Sequence, residues 1–444
     1  MAVSPATPLG VQWFSLLASV LDPRSAPRLA KLFLGAVLAR GRRTVTSWIR
    51  AAGLGNEFRP CYTAVAAAGK QSDLIAARLA LEVVKPLVAG TKRLVFAIDD
   101  TPTERCGPHV QGAGVHHNPT PGPAGGEFVY GHVWVVLALL GTHPLWGTIA
   151  LPLLARLYIR QKDLAGIDRK HRPQFRTKLE QAVELMEWAV AWLGMPGKAV
   201  WAVVDGAYAK APFLKPMIRR GVTVVSRLRK DAALFAEPGP RRPGQRGRRR
   251  IYGEGRIRLA NRAGQSRGWT TETFPLYGKP TVKRFKTFLA TWRPAGGVIR
   301  VVLVQESHGW VAFFCTDLTA SVADILGYVA DRFSIETCFR DCKDVVGAGQ
   351  QQVRFLGANI GAFHICLWIA TLTEAWAWHQ SEQELTGHRT ASPWDDQPRR
   401  PSHADKRRAW RRELLTGEIQ AVLRAGPSDE EIQKAAERLL GLAA

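Results

Sequence analysis

Unbroken apolar runs, each too short for a helix, recur through the middle of the chain. Leu94-Val-Phe-Ala-Ile98, Ala199-Val-Trp-Ala-Val-Val204 and Val222-Thr-Val-Val-Ser226 have the length and β-branched content of strands buried on both faces. Phe128 to Leu140 and Pro144 to Ile159 add two more strands, joined by a Gly-Thr-His-Pro turn. Arg172 to Leu193, which ends at Gly194, and Tyr208 to Arg220 are patterned as helices between them. From 251 to 316 the pattern changes to alternation, as in Thr287-Phe-Leu-Ala-Thr-Trp292 and Ile299-Arg-Val-Val-Leu-Val304, which predicts antiparallel strands. The chain therefore reads as an α/β fold, a mixed sheet flanked by helices, with a β-rich segment set into it.

The flanks are helical. Val11 to Leu21, Ala26 to Ala39, Thr44 to Ala52 and Ser72 to Leu87 predict an N-terminal helical domain. The basic turn Arg40-Gly-Arg-Arg43 between two of these helices fits a helix-turn-helix as well as an ordinary bundle. Leu356 to Trp378 is a long apolar helix, residues 381 to 413 are polar and basic and read as poorly ordered, and Ser428-x-x-Glu431 is a capping box that opens a last helix. Pro238 to Arg250, rich in Pro, Gly and Arg, predicts a basic loop.

Charge narrows the partners. The 444 residues hold 61 Lys and Arg against 37 Asp and Glu, a formal net charge of +24. That excess suits a polyanion and not a neutral small molecule, and nucleic acid is the partner it predicts. The six cysteines form no CxxC pair, which predicts reduced thiols and no zinc site. His109, His116, His117 and His132 have no regular ligand spacing. No basic segment precedes the first apolar residues, so a cytoplasmic protein is expected. Phe128 to Ala155 and Phe355 to Thr373 are long enough to span a membrane. The first is interrupted by turn residues and the second carries Asn359 and His364, so both are expected inside the protein.

Two of the short strands run into acids. One ends at Asp99-Asp100 and another at Asp205, placing carboxylates where open α/β sheets hold their sites. A third acid lies in Asp331 to Lys343, DRFSIETCFRDCK, which has no Gly or Pro and reads as a helix. On a 3.6-residue repeat Arg332 and Lys343 fall roughly 40° and 20° from Glu336, to the same side. An acid flanked by two cations on one face suits a carboxylate that holds a metal while its neighbours hold phosphates. Three carboxylates on separate elements can hold two divalent ions about 4 Å apart, one at each oxygen of a phosphodiester being cut. Mg²⁺ fits such hard oxygen donors, with Mn²⁺ as the alternative. For the first acid, Asp99 shares a strand face with Thr101 while Asp100 points the other way, and both remain candidates.

Arg332-x3-Glu336-x6-Lys343, followed by Gly347-Ala-Gly349, resembles the Tyr-Arg-Glu-Lys signature of bacterial insertion-sequence DDE transposases. Asp99-x-Thr101 is similar to the first catalytic motif of that class, and Val203-Val-Asp205-Gly-Ala-Tyr208 to the second. The signature tyrosine would fall at Val329, one residue after Tyr328. The resemblance covers about residues 90 to 360 and implies an RNase H-like core. It divides the chain into a helical, DNA-end-binding domain (1–90), the first part of the core (91–228), a β-rich insertion (229–318), the glutamate helix with a closing helix (319–380), and a basic, partly disordered helical tail (381–444). It further implies cut-and-paste transposition of double-stranded DNA, transposon ends and target alike, by a homodimer. Asp99, Asp205 and Glu336 would be the metal ligands, with Arg332, Lys343, Lys210, Arg227 and Arg340 on the DNA. A nuclease without strand transfer and an inactive DNA-binding descendant share these residues.

Overall fold

A computed structural model describes residues 9–118, 126–241, 244, 246–389, 399–424, 426 and 428–443. Part of the His-rich loop (119–125), three positions of the basic loop (242, 243 and 245) and part of the basic C-terminal segment (390–398) lie outside the described residues. The chain opens with α1 (Leu9–Ala18), α2 (Ala26–Leu38), α3 (Val45–Ala51), α4 (Phe58–Lys70) and α5 (Ser72–Arg78). A π turn over Leu79–Val84 joins α5 to the short α6 (Lys85–Leu87). Strands β1 (Arg93–Glu104), β2 (Gly114–His117), β3 (Phe128–His143) and β4 (Gly147–Tyr158) follow, then α7 (Lys178–Leu193), β5 (Ala199–Val204), α8 (Ala211–Arg219) and β6 (Thr223–Leu228).

β1 is the axis of the sheet. On one side it pairs antiparallel with β3, which pairs with β4; on the other it pairs parallel with β5, which pairs parallel with β6. The order β4-β3-β1-β5-β6, an antiparallel meander and then two parallel strands, is the RNase H-like arrangement. The sheet does not stop there. β7 (Leu234–Phe235), β8 (Arg256–Ile257), α9 (Leu259–Gly264), β9 (Thr270–Leu276), β10 (Lys279–Trp292), β11 (Gly297–Glu306) and β12 (Gly309–Cys315) make up the predicted insertion. β12 pairs antiparallel with β6, so the insertion extends the core sheet to twelve strands.

The closing elements are α10 (Val322–Asp331), α11 (Phe333–Asp341), a π turn over Cys342–Val346, α12 (Leu356–Ala377), α13 (Glu382–Thr386), α14 (His403–Arg424) and α15 (Asp429–Ala443). Among the described residues α12 alone is long and apolar enough to cross a membrane, and 89% of its apolar window is buried inside the protein. Three of its polar side chains, His364, Trp368 and Thr371, bond to the backbone of β4. The register slips between β3 and β4 near Leu153, and Trp368 Nε1 donates to the freed Leu153 carbonyl at 2.9 Å. His364 Nε2 accepts from the Ala155 amide at 3.0 Å, and burial lowers its pKa to about 4, so it packs neutral. Gly69 and Gly361 let α4 and α12 touch backbone to backbone, since a Cβ on Gly361 would lie 1.9 Å from the Val65 carbonyl oxygen.

The C-terminal segment departs from the sequence reading. Residues 403 to 413, expected to be poorly ordered, lie in α14, whose Trp410 is fully buried between Phe14 and Trp376. Arg407 donates to the Ala36 and Ala39 carbonyls at the end of α2. A guanidinium there satisfies carbonyls that a helix end leaves without partners. The expected capping box is present, with the Ser428 amide donating to Glu431 Oε2 at 2.9 Å.

Candidate active site

The acids of β1 sit where the sheet changes neighbours. The parallel ladder with β5 ends at Ile98–Val204, while the antiparallel ladder with β3 runs on to Glu104–Gly131. The expectation that β1 ends at its acids is therefore corrected: the strand loses one neighbour there and keeps the other. Pro102, which has no amide to donate, is tolerated because that edge is already open. Asp205 follows β5 on the far side of the same opening and folds into a turn, its Oδ2 accepting from the Ala207 amide at 3.0 Å.

Strand alternation separates the two aspartates of β1. Asp99 faces α11: Arg332 Nη1 donates to its Oδ2 at 2.7 Å, and Arg332 Nη2 donates to Glu336 Oε1 at 2.7 Å. One guanidinium thus joins the β1 acid to the helix acid. Asp100 faces α7 instead, accepting from Lys178 Nζ at 2.6 Å and from the buried Tyr208 hydroxyl at 3.1 Å. Those contacts tie β1 to the start of α7 and to the turn after Asp205. Neither Lys178 nor Tyr208 stood out in the sequence as a partner of Asp100.

Burial pushes the Asp99 carboxyl up to about 6, and the attraction of Arg332 and a bond from the Asp100 amide offset only part of that rise. The charge of Asp205 also acts on both Asp99 and Arg332. Burial lowers and these carboxylates raise the Arg332 pKa, for a net rise that keeps it charged. Among the described residues no three His, Cys, Asp or Glu side chains are close enough together to hold a metal ion. The donors nevertheless fit one in kind. Asp99 and Glu336 already turn oxygens toward a single cation, here the guanidinium, and hard carboxylate oxygens on separate elements are what Mg²⁺ or Mn²⁺ takes.

The expected helix over 331–343 is broken twice. Arg332 lies between α10 and α11, and a π turn begins at Cys342. This turn ends at Gly347 with φ 91°, and a Cβ there would meet the Arg43 Cβ at 2.6 Å. Only glycine meets both demands, so the basic turn before α3 packs directly against the end of this π turn. Gln350 Oε1 accepts from the Arg43 amide at 2.7 Å, and Gln351 Nε2 donates to the Arg43 carbonyl at 2.6 Å. The second helix of the possible helix-turn-helix has Trp48 and Ile49 buried and Arg50 exposed.

The remaining cations spread out from this centre. Lys343 is half-buried in the π turn, and burial lowers its pKa against the pull of Asp344 and Glu104. Glu104 is the far end of β1, so Lys343 does not join the Arg332–Glu336 cluster. The eleven residues from Arg332 to Lys343 advance about 16 Å along a helix. Arg340 is exposed one turn beyond Glu336. Lys210 is exposed at the start of α8. Arg227 is exposed at the end of β6, where it lines an open cavity of about 380 Å³ with Gly206, Arg229 and Lys230. Tyr328 is turned away: its hydroxyl meets Arg93 Nη1 at 3.4 Å and its ring packs 5.2 Å from Trp201. Arg93 lies six residues before Asp99 on an extended strand, about 20 Å away. Trp292 and Trp310 of the insertion are packed against neighbours. Trp292 packs edge-on against Phe314 at 5.1 Å, and Trp310 lies under Lys230 at 5.3 Å.

An RNase H-like sheet of this order belongs to a class of nucleases that cut phosphodiesters with divalent metal. The chain is a member of the DDE superfamily endonucleases, whose family model matches residues 17–283, more than half of its length. Its activity is accordingly that of a metal-dependent endonuclease acting on DNA. The matched stretch contains Asp99, Asp100 and Asp205 and stops before Arg332, Glu336 and Lys343. Comparison with curated proteins gave no match.

Proposed function

We propose that this endonuclease is a transposase. It cuts at the ends of an insertion sequence and joins the freed 3′ ends to target DNA, working in the bacterial cytoplasm as a homodimer that brings two ends together. Asp99, Asp205 and Glu336 are the carboxylates of the reaction, with Mg²⁺ as the ion and Mn²⁺ as a substitute. The observation that carries this reading is the single guanidinium of Arg332 held by both Asp99 and Glu336. It fixes which β1 aspartate faces the helix acid, and it brings a phosphate-binding group to the same point.

When bound, a pair of divalent ions supplies activation of the attacking oxygen and neutralisation of the leaving one. Arg332 does the rest of the charge work. Its planar fork pairs with phosphate as readily as with carboxylate, so an arriving DNA strand draws it off Asp99 and Glu336. That exchange frees both acids when substrate is in place. Arg227, Lys210 and Arg340 lie exposed around the opening and hold the duplex through its backbone, while Asp100, fixed by Lys178 and Tyr208, keeps the β1 edge in position.

The alternative is a nuclease on the same carboxylates that never joins strands. Duplexes of the DNA bordering the reading frame, already cut at the element end, separate the two when incubated with Mg²⁺ and a supercoiled target. A covalently joined product is expected. Cleavage of uncut duplexes without any joined product would assign the protein to the nuclease reading.

A further inference from the structure

β1 and β5 lead to the two aspartates of the site, and the ladder between them stops just short of both. Its last rung is Ile98–Val204, so Asp99 and Asp205 each stand one residue past the last backbone pairing of the two strands. Asp99 is still held by β3, opposite Val136, while Asp205 has left the sheet. No rung of the ladder therefore sets the distance between the two carboxylates. Divalent metal makes that distance matter, because Mg²⁺ demands near-ideal geometry with oxygens at about 2.1 Å. A contact beyond the ladder has to supply the precision.

Tyr208 makes such a contact. The chain after Asp205 folds into a turn closed by the Tyr208 amide, which donates to the Asp205 carbonyl at 2.9 Å. Inside it the Asp205 carboxylate accepts from the Ala207 amide, so Asp205 and Tyr208 belong to one braced unit. The Tyr208 ring is buried, edge-on to Phe213 of α8 at 6.3 Å. Its hydroxyl crosses to β1 and donates to Asp100 Oδ1 at 3.1 Å. The other oxygen of Asp100 accepts from Lys178 Nζ at 2.6 Å, which holds the carboxylate from a second side. The Asp100 amide in turn donates to Asp99 Oδ1 at 2.8 Å. A chain of bonds thus runs from the Asp205 turn through Tyr208 and Asp100 to Asp99, across the gap that the ladder leaves open. Burial, with the charges of Asp100, Asp99 and Asp205 nearby, raises the Tyr208 pKa, so the hydroxyl keeps its proton and donates.

We infer that the Tyr208 hydroxyl is a positioning group that sets the spacing of Asp99 and Asp205 for divalent metal, acting through Asp100. The inference rests on the reading of Asp99 and Asp205 as metal ligands. Tyr208→Phe keeps the ring and removes the bond. The probe is Mn²⁺, titrated into protein bound to a duplex of the DNA bordering the reading frame and followed by calorimetry or electron paramagnetic resonance. Tyr208→Phe is expected to bind it at least about tenfold more weakly than wild-type protein. Its melting temperature and its DNA affinity without metal are expected to stay near wild type, because Lys178 still holds Asp100 and the ring stays packed. In an Asp100→Ala background the same substitution is expected to cause no further loss, since its partner is already gone. Unchanged Mn²⁺ affinity in Tyr208→Phe overturns the inference. An equal loss in both backgrounds overturns it as well, because the hydroxyl would then act without Asp100. Failure of wild-type protein to take up Mn²⁺, or uptake undiminished in Asp205→Asn, overturns the ligand reading itself and the inference with it.

Discussion

Glu336→Gln is expected to bind DNA ends with near wild-type affinity and to cleave them at least about a hundredfold more slowly, a barrier increase of roughly 2.7 kcal/mol. The substitution keeps the size of the side chain and removes its charge. Glu336 lies on the exposed side of α11, and its oxygen meets one branch of the Arg332 guanidinium. Losing that contact leaves Arg332 on Asp99, so the fold and the surrounding basic surface stay as they are. What is lost is a hard anionic donor, and with it the hold on a divalent ion. Gel-shift titration and a cleavage time course on one preparation would separate binding from chemistry. Undiminished cleavage in this variant would remove Glu336 from the site.

Glu374→Gln is expected to destabilise the fold by about 3–5 kcal/mol, without touching the site directly. Glu374 lies on the core helix α12 with its side chain 10% exposed, and it accepts from His403 Nδ1 at 2.7 Å and Lys406 Nζ at 2.5 Å. Burial would raise its carboxyl, but the Lys406 ammonium and His403 hold it down at about 2. A carboxylate lowered on folding contributes stability that is complete above its ordinary pKa of 4.5 and is lost as pH falls from there toward 2. Replacing it strands the Lys406 ammonium in the interior. The double variant Glu374→Gln/Lys406→Met is therefore expected to recover most of the loss, because removing both charges of a buried pair costs far less than removing one. Denaturant melts of the two variants near neutral pH test this. An equal loss in both would mean that packing, and not charge pairing, holds α14 on the core.

The parts legible in the sequence were those that local pattern decides. Apolar runs ending in Asp99 and Asp205 announced β1 and β5, because strands buried on both faces admit few polar residues before their ends. Two-residue alternation put Asp99 and Asp100 on opposite faces of β1, and the structure turns Asp99 to Arg332 and Asp100 to Lys178. Errors came where distant partners decide. β1 continues past Pro102 because β3 supplies a ladder that no local residue signals. α14 looked too polar to pack, yet its cations are taken up by Glu374 and by carbonyls of α2 more than 360 positions earlier in the chain. α7 begins at Lys178 and not at Arg172, and Thr177-x-x-Glu180 was a readable capping box. The Tyr277-Gly278 turn between β9 and β10 was readable too, as a glycine-bearing pair between alternating runs. That its tyrosine meets Phe333 of α11 depends on the insertion continuing the core sheet, which no spacing reveals.

Titration of Mn²⁺ into the DNA-bound protein, followed by calorimetry or electron paramagnetic resonance, tests the three-carboxylate site most directly. Asp205 is the discriminating residue, since among the described residues no side-chain cation forms an ion pair that bridges it to the other two acids. The wild-type complex should take up about two ions per protomer near neutral pH. Uptake should weaken toward pH 5, where the Asp99 carboxyl, pushed up to about 6 by burial, holds a proton in competition with the metal. Asp205→Asn should lose at least one ion while still binding DNA. Unchanged Mn²⁺ uptake in that variant would contradict the site.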